Sequence, residues 1–280
     1  MSVAFIDRNP TAPEVERLRL ILSTYQDGTG QLTHVRFPGI TLPGWRDFER
    51  SIALAFGGQA MESKYIFDVL LSDPAKPHIK YGLSCKMRGE LDRISRDGRV
   101  TIELSNSAGK FWSRLKTKGL DETNYQNHPL EVGVALIEEV EDWHIRAGIA
   151  SGGVADLSKS SYLVLSWNLK GWYQLHQFPL LLPDPRTLTW HCPLNRSLSE
   201  TSKRIVGRDE QGILFEWYAL SGGQLKYYPL ASTAIWRSEL FQLEPLPATI
   251  EHGVLRKVAE YFPDQWEQTY RTGPNNKSEG

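Results

Sequence analysis

The segment Lys64-Tyr65-Ile66-Phe67-Asp68-Val69-Leu70-Leu71 and the segment His78-Ile79-Lys80-Tyr81-Gly82-Leu83-Ser84-Cys85-Lys86-Met87 set the fold of this chain. Between them, Ser72 to Pro77 reads as a loop with two prolines. Both segments are short and rich in β-formers, which predicts two buried strands, most simply antiparallel to each other. Asp68 interrupts the first apolar run, and a carboxylate there costs free energy unless it is paired or bound to a cation. Residues two apart on a strand face the same way, so Ser84 and Lys86 project together and Cys85 points to the opposite face, into the core. If the strands are neighbours, Asp68 approaches Lys86 across the sheet.

Working outward, Thr11 to Tyr25 reads as a helix with Pro13 in its first turn and an apolar face of Val15, Leu18, Leu20, Ile21 and Leu22. After a turn at Gly28 and Gly30, an extended piece runs around His34 to Phe37. Pro43 and Gly44 open a second helix, Trp45 to Phe56, which Gly57-Gly58 stops. Glu49 lies on it. Arg99 to Leu104 reads as a third strand, and Ser105 or Ser107 caps a helix to about Lys118 with Phe111, Trp112 and Leu115 on one side. Pro129 to about Ile149 is a longer helix with Glu138, Glu139, Glu141 and Asp142 expected on its solvated face. Strand candidates follow at Tyr162–Trp167, Trp172–Phe178, Leu188–His191, Ile213–Leu220 and Gln224–Pro229, and Glu251 to Phe262 reads as a helix. The expected class is α/β (α+β), a central mixed β-sheet flanked by helices. Residues 1–150 form the α/β core, residues 151–270 a strand-rich C-terminal half that completes the fold, and 271–280 a disordered tail.

Composition narrows the function. The 280 residues carry 32 Lys and Arg against 33 Asp and Glu, a formal charge of -1, which excludes a globally basic nucleic-acid coat but not a local basic groove. Two cysteines are too few for a disulfide framework or a four-cysteine zinc site. No apolar run approaches the ~20 residues of a membrane span, and no signal peptide is evident, so a cytoplasmic protein of prokaryotic type is expected. Leu220-Ser221-Gly222-Gly223-Gln224 spells an ATPase signature, yet no phosphate-binding G-x-x-x-x-G-K-[ST] loop accompanies it, and a hairpin turn is the better reading. The sequons at Asn195 and Asn276 are read as accidental.

A helical Glu49, a strand Asp68 and the pair Ser84-x-Lys86, in that order, resemble the PD-(D/E)XK nuclease superfamily, in particular the type II restriction endonucleases. Phe67 stands where the family has proline, and Ser84 where it has glutamate. The resemblance implies a restriction-endonuclease-like core and a Mg²⁺-dependent nuclease acting on double-stranded DNA at a short sequence. It implies that Asp68 binds Mg²⁺ and that Lys86 orients or helps deprotonate the attacking water. Glu49 or Glu103 completes the metal site, with Glu90 or Glu62 as alternatives. A homodimer is expected, since two active sites are needed to cut both strands of a palindrome. A nuclease of the same fold that cuts by structure, or a non-catalytic DNA-binding protein with an Asp68–Lys86 ion pair, are the other readings.

Lys110, Arg114, Lys116 and Lys118 surround Phe111 and Trp112, a pattern that offers cations to phosphates while the aromatics anchor in the core. Asn106 on the preceding turn, and Asn168 and Lys170 in the back half, are further candidates for contacts to DNA. A solvated helix face is the alternative for the basic run.

Overall fold

Glu14 accepts hydrogen bonds from the Thr11 backbone N–H (2.8 Å) and hydroxyl (2.9 Å), which satisfies the start of the first helix, α1 (Ala12–Thr24). The computed structural model describes residues 2–34, 40–60, 66–73, 75–105, 107–194, 201–247 and 253–272. After α1, two short strands, β1 (Leu32–Thr33) and β2 (Thr41–Leu42), pair antiparallel, and α2 (Trp45–Phe56) follows. Asp47 accepts from the Gly44 N–H (2.8 Å) and the Gln31 N–H (3.0 Å), so a carboxylate closes the positive end of α2. Gly57 ends α2 in the left-handed conformation, φ 71°.

Then come β3 (Gln59–Ala60), β4 (Val69–Asp73), β5 (Lys76–Arg88), α3 (Leu91–Asp97), β6 (Ile102–Ser105) and α4 (Ala108–Thr117). The long α5 (Pro129–Ala147) leads to β7 (Ser161–Trp167) and β8 (Trp172–Pro179). The rest is β9 (Thr189–His191), β10 (Arg204–Asp209), β11 (Gly212–Tyr218), β12 (Leu225–Tyr227), β13 (Trp236–Arg237), β14 (Phe241–Gln242), α6 (Gly253–Tyr261) and α7 (Pro263–Thr272).

Two large sheets result. One runs β13-β8-β7-β5-β4-β3, with β14 also on β8, and is mixed because β5 and β7 are parallel while its other pairs are antiparallel. The other runs β6-β12-β11-β10-β9 and is antiparallel throughout. Strands from both sides of residue 150 enter each sheet, so the front and back of the chain interleave.

The period of two along the strands sorts the core into two clusters. Val69, Leu71, Leu83, Cys85, Leu163 and Leu165 face α1 and α2, where Leu18, Leu22, Phe48 and Ile52 meet them. Leu70, Tyr162, Val164 and Phe178 face the other way, toward α4, α5 and the second sheet. Helix α5 packs closely there because Gly133 has no Cβ, which would stand 2.3 Å from the Trp190 ring.

Several expectations need correction. The first strand begins only at Val69, so Asp68 sits at its mouth rather than within it; Lys64 and Tyr65 lie outside the described residues. The loop is shorter than expected, since Ser72 and Pro77 belong to β4 and β5. The acidic stretch of α5 is not a solvated face: Glu139 is buried, and Glu138, Glu139 and Asp142 all bind Arg114. Helices α3 and α7 and strand β10 were not expected. Of the tail, Arg271 and Thr272 belong to α7, and 273–280 lie outside the described residues. The Leu220–Gln224 turn joins β11 to β12 as a hairpin. Among the described residues no helix is long and apolar enough to cross a membrane.

Candidate active-site cleft

Phe67 places Asp68. Its ring lies against Gly82 so closely that a Cβ there would stand 2.2 Å from it, and the Asp68 N–H donates to the Leu83 carbonyl at 3.0 Å. The Gly82 N–H is itself held by the Ser160 hydroxyl at 2.8 Å. Register pairing of Val69 with Leu83 then brings the Asp68 carboxylate beside the far half of β5. There Oδ2 accepts from the Cys85 N–H (2.7 Å) and from Lys86 Nζ (3.0 Å), with the Ser84 hydroxyl at 3.5 Å. The Cys85 side chain is buried on the opposite face, and burial pushes its thiol well up, so it takes no part as a thiolate.

Glu49 completes this group from α2. It shares one cleft of about 690 Å³ with Asp68, Ser84, Lys86, Arg88, Glu103 and Lys110. Burial, and after it the negative charge of Asp68, push the Glu49 carboxyl up to about 7, and Lys86, Arg46 and Arg50 oppose this only in part. Two carboxyl groups in one cleft beside a lysine are a donor set suited to a hard divalent cation. Asp68 and Glu49 fit that role. Glu103 lines the same cleft but is bound to Arg88 Nη1 at 2.5 Å, and Glu90 lies 3.5 Å from Arg88 Nε. Among the described residues no group of three or more His, Cys, Asp or Glu side chains stands ready to hold a metal ion. Glu62 lies outside the described residues.

The cleft opens between the two sheets. Its back wall holds His144 of α5 and Tyr162 of β7, whose Nε2 and hydroxyl lie 2.9 Å apart. Burial lowers His144 to about 4, so this imidazole is neutral near pH 7. Trp45, one helical turn before Glu49, is exposed at the lip with the Arg46 guanidinium 4.9 Å over its ring. Nothing in the sequence distinguished His144 or Tyr162, whereas Trp45 at i-4 from Glu49 was visible as a helix-face neighbour.

The basic run divides. Lys110 lines the cleft with its ammonium 5.2 Å from the Trp143 ring centre. Arg114 turns inward to Glu138, Glu139 and Asp142, and Lys118 lies 3.0 Å from Glu138, so both serve to tie α4 to α5. Lys116 is exposed, 4.0 Å from Glu122. Asn168 is spent on the β7–β8 turn, accepting from the Lys170 and Trp172 N–H groups and donating to Asp92. Lys170 is exposed at that turn, and Asn106 lies outside the described residues. Comparison with protein-family models, curated proteins and solved structures gives no match for this chain.

Proposed function

We propose that this protein is a Mg²⁺-dependent endonuclease of restriction type, hydrolysing phosphodiester bonds of double-stranded DNA at a short sequence. The observation that carries the reading is the convergence of Glu49, Asp68 and Lys86 in one cleft, with Lys86 Nζ 3.0 Å from Asp68 and Glu49 pushed up to about 7. Asp68 and Glu49 would hold the cation, which when bound supplies positive charge to the transferring phosphoryl group. Asp68 is kept in place by the Cys85 N–H, so its carboxylate is oriented before any substrate arrives. Lys86 stands where its ammonium can position a water and stabilise the charge that develops on it. Lys110 in the cleft offers a phosphate contact. A homodimer matches a palindromic site and the need to cut two strands.

Two other readings keep the same fold. One is a nuclease that cuts by DNA structure. The other is a non-catalytic DNA-binding protein in which the observed Asp68–Lys86 pair is only structural. Glu49 counts against the latter, because a structural pair gives no use for a second half-buried carboxyl whose charge Lys86 offsets only in part.

Incubation of plasmid and phage DNA with Mg²⁺ and wild-type protein, Asp68→Ala and Lys86→Ala tests the proposal. Discrete fragments from the wild type and a loss of at least about 10²-fold in each variant are expected. Unchanged cutting in both variants removes the proposed site, and binding without cutting by every form favours the non-catalytic reading.

A further inference from the structure

Arg88 follows Ser84 and Lys86 at steps of two along β5, and its neighbours in the parallel register confirm one face: Ser84 lies beside Tyr162, Lys86 beside Val164 and Arg88 beside Ser166. All three β5 side chains line the cleft. At its far end Arg88 is paired with Glu103 of β6 at 2.5 Å, each side chain 22% exposed. Strand β5 belongs to the mixed sheet and β6 to the antiparallel one. The ion pair therefore links a strand of each sheet within the cleft and engages the one further carboxylate, besides Glu49 and Asp68, among the cleft's described lining residues.

We infer that Arg88 and Glu103 form an exchange pair, in which a phosphate of the nucleic acid takes Arg88 and so frees Glu103 to bind the cation with Asp68 and Glu49. The inference rests on the nuclease reading of this cleft. A phosphodiester offers the guanidinium what the carboxylate offers it, two oxygens in a plane matched to the forked N–H donors. The exchange preserves the count of charge partners: Arg88 trades a carboxylate for a phosphate, and Glu103 trades a guanidinium for a divalent cation. Neither charge is left desolvated and alone. Partial exposure of both side chains leaves the pair open to competition from a ligand in the cleft. The consequence is coupling. Cation and DNA each raise the other's affinity by the same factor, since both favour the state with the pair open. Without DNA the third carboxylate stays occupied, and the cation is held weakly.

Ca²⁺ as the cation and a random-sequence duplex as the DNA probe test this without catalysis. Ca²⁺ binding is measured by calorimetry with and without the duplex, for wild type, Arg88→Ala, Arg88→Met (which keeps an apolar stem against the cleft wall), Glu103→Gln and Asp68→Asn. In the wild type the duplex tightens Ca²⁺ binding by about 5- to 150-fold, the usual range of coupling between sites. In both Arg88 variants Ca²⁺ binds more tightly than in wild type without the duplex, the coupling factor falls toward one, and the slope of log K for DNA against log salt drops by about 1. Glu103→Gln removes the gain in Ca²⁺ binding on adding the duplex. Folded Arg88 variants that bind Ca²⁺ no better than wild type, or that keep the coupling, overturn the exchange. Asp68→Asn separates this from the parent reading: if it loses Ca²⁺ binding while Arg88 variants gain none, only the exchange falls, and if it binds Ca²⁺ normally the metal site itself is wrong.

Discussion

Replacing Glu49 by Gln removes a charge the fold holds at a cost. The native carboxyl keeps its proton up to about pH 7, whereas its ordinary value is 4.5. Between those values the native state binds more protons than the unfolded chain, so the contribution of Glu49 to stability falls as pH rises. Below 4.5 there is no penalty; above 7 it is complete. A difference of 2.5 pH units at 1.36 kcal/mol each is about 3 kcal/mol, and because Glu49 is only half-buried, solvent screening reduces this to about 1–2 kcal/mol. Urea unfolding of wild type and Glu49→Gln in EDTA, at pH 4.5 and pH 8.5, reads the difference. The variant should gain about 1–2 kcal/mol on the wild type between the two pH values. The subtraction cancels the titrating groups that lie away from Glu49, since both proteins share them. Saturating Ca²⁺ at pH 8.5 should then reverse the order, adding about 2.7 kcal/mol to the wild type at a hundred times Kd and less to the variant. A gap that does not change with pH would refute the idea that Asp68 and burial together strain Glu49.

Other outcomes follow from the same geometry. Gly82→Ala forces the Phe67 ring away and should cost about 1–3 kcal/mol in urea unfolding while lowering cleavage, because Asp68 follows Phe67. The His176 side chain is fully buried, has no hydrogen-bond partner among the described residues and is lowered to about 4 by burial, with Arg237 adding to the effect. The unfolded chain therefore takes up a proton there that the native state refuses as pH falls from 6.5 to 4, and His176→Leu should reduce the acid loss of stability by up to about 3 kcal/mol in parallel pH-dependent melts. Arg114→Met should destabilise by about 2 kcal/mol by removing the cation that Glu138, Glu139 and Asp142 share, although Glu138 keeps Lys118 and Arg186. Lys110→Ala should leave stability within about 0.5 kcal/mol and weaken DNA binding, with the salt slope reduced by about 1.

Local patterns carried much of this fold. Alternation in Leu83–Met87 placed Cys85 in the core and aimed Ser84 and Lys86 together, and the antiparallel pairing of β4 with β5 was legible from the short loop between them. Helices α1, α2, α4 and α5 declared themselves by their caps and apolar faces. Strand β10 did not, because Arg204, Gly207, Arg208 and Asp209 break its apolar pattern; Gly207 is there because the Trp190 ring occupies the space of a side chain, 2.8 Å from where a Cβ would stand. Long-range partnerships were equally silent. Arg114 reads as a free cation in its own helix, and only the packing of α4 on α5, 24 to 28 residues away, shows that it is neutralised. The ordered trio of Glu49, Asp68 and Lys86 could be picked out by residue type and order. The engagement of Glu103 by Arg88 could not, since it depends on how two separate sheets meet.

The interleaving of the two sheets bears on when activity can arise during synthesis. Residues 49 to 88 supply Glu49, Asp68, Lys86 and Arg88 of the cleft, yet the strand that flanks β5 in parallel is β7, and the Gly82–Ser160 bond that steadies it spans 78 residues. Strand β6, which carries Glu103, is held by β12, still further along the chain. Such distant pairings form late, because the ends of a long loop must first be brought together. A ribosome that has made residues 49 to 88 has thus not yet assembled the cleft. On the proposed nuclease reading, the order of the strands delays the hazard of DNA cleavage until the protein is nearly finished.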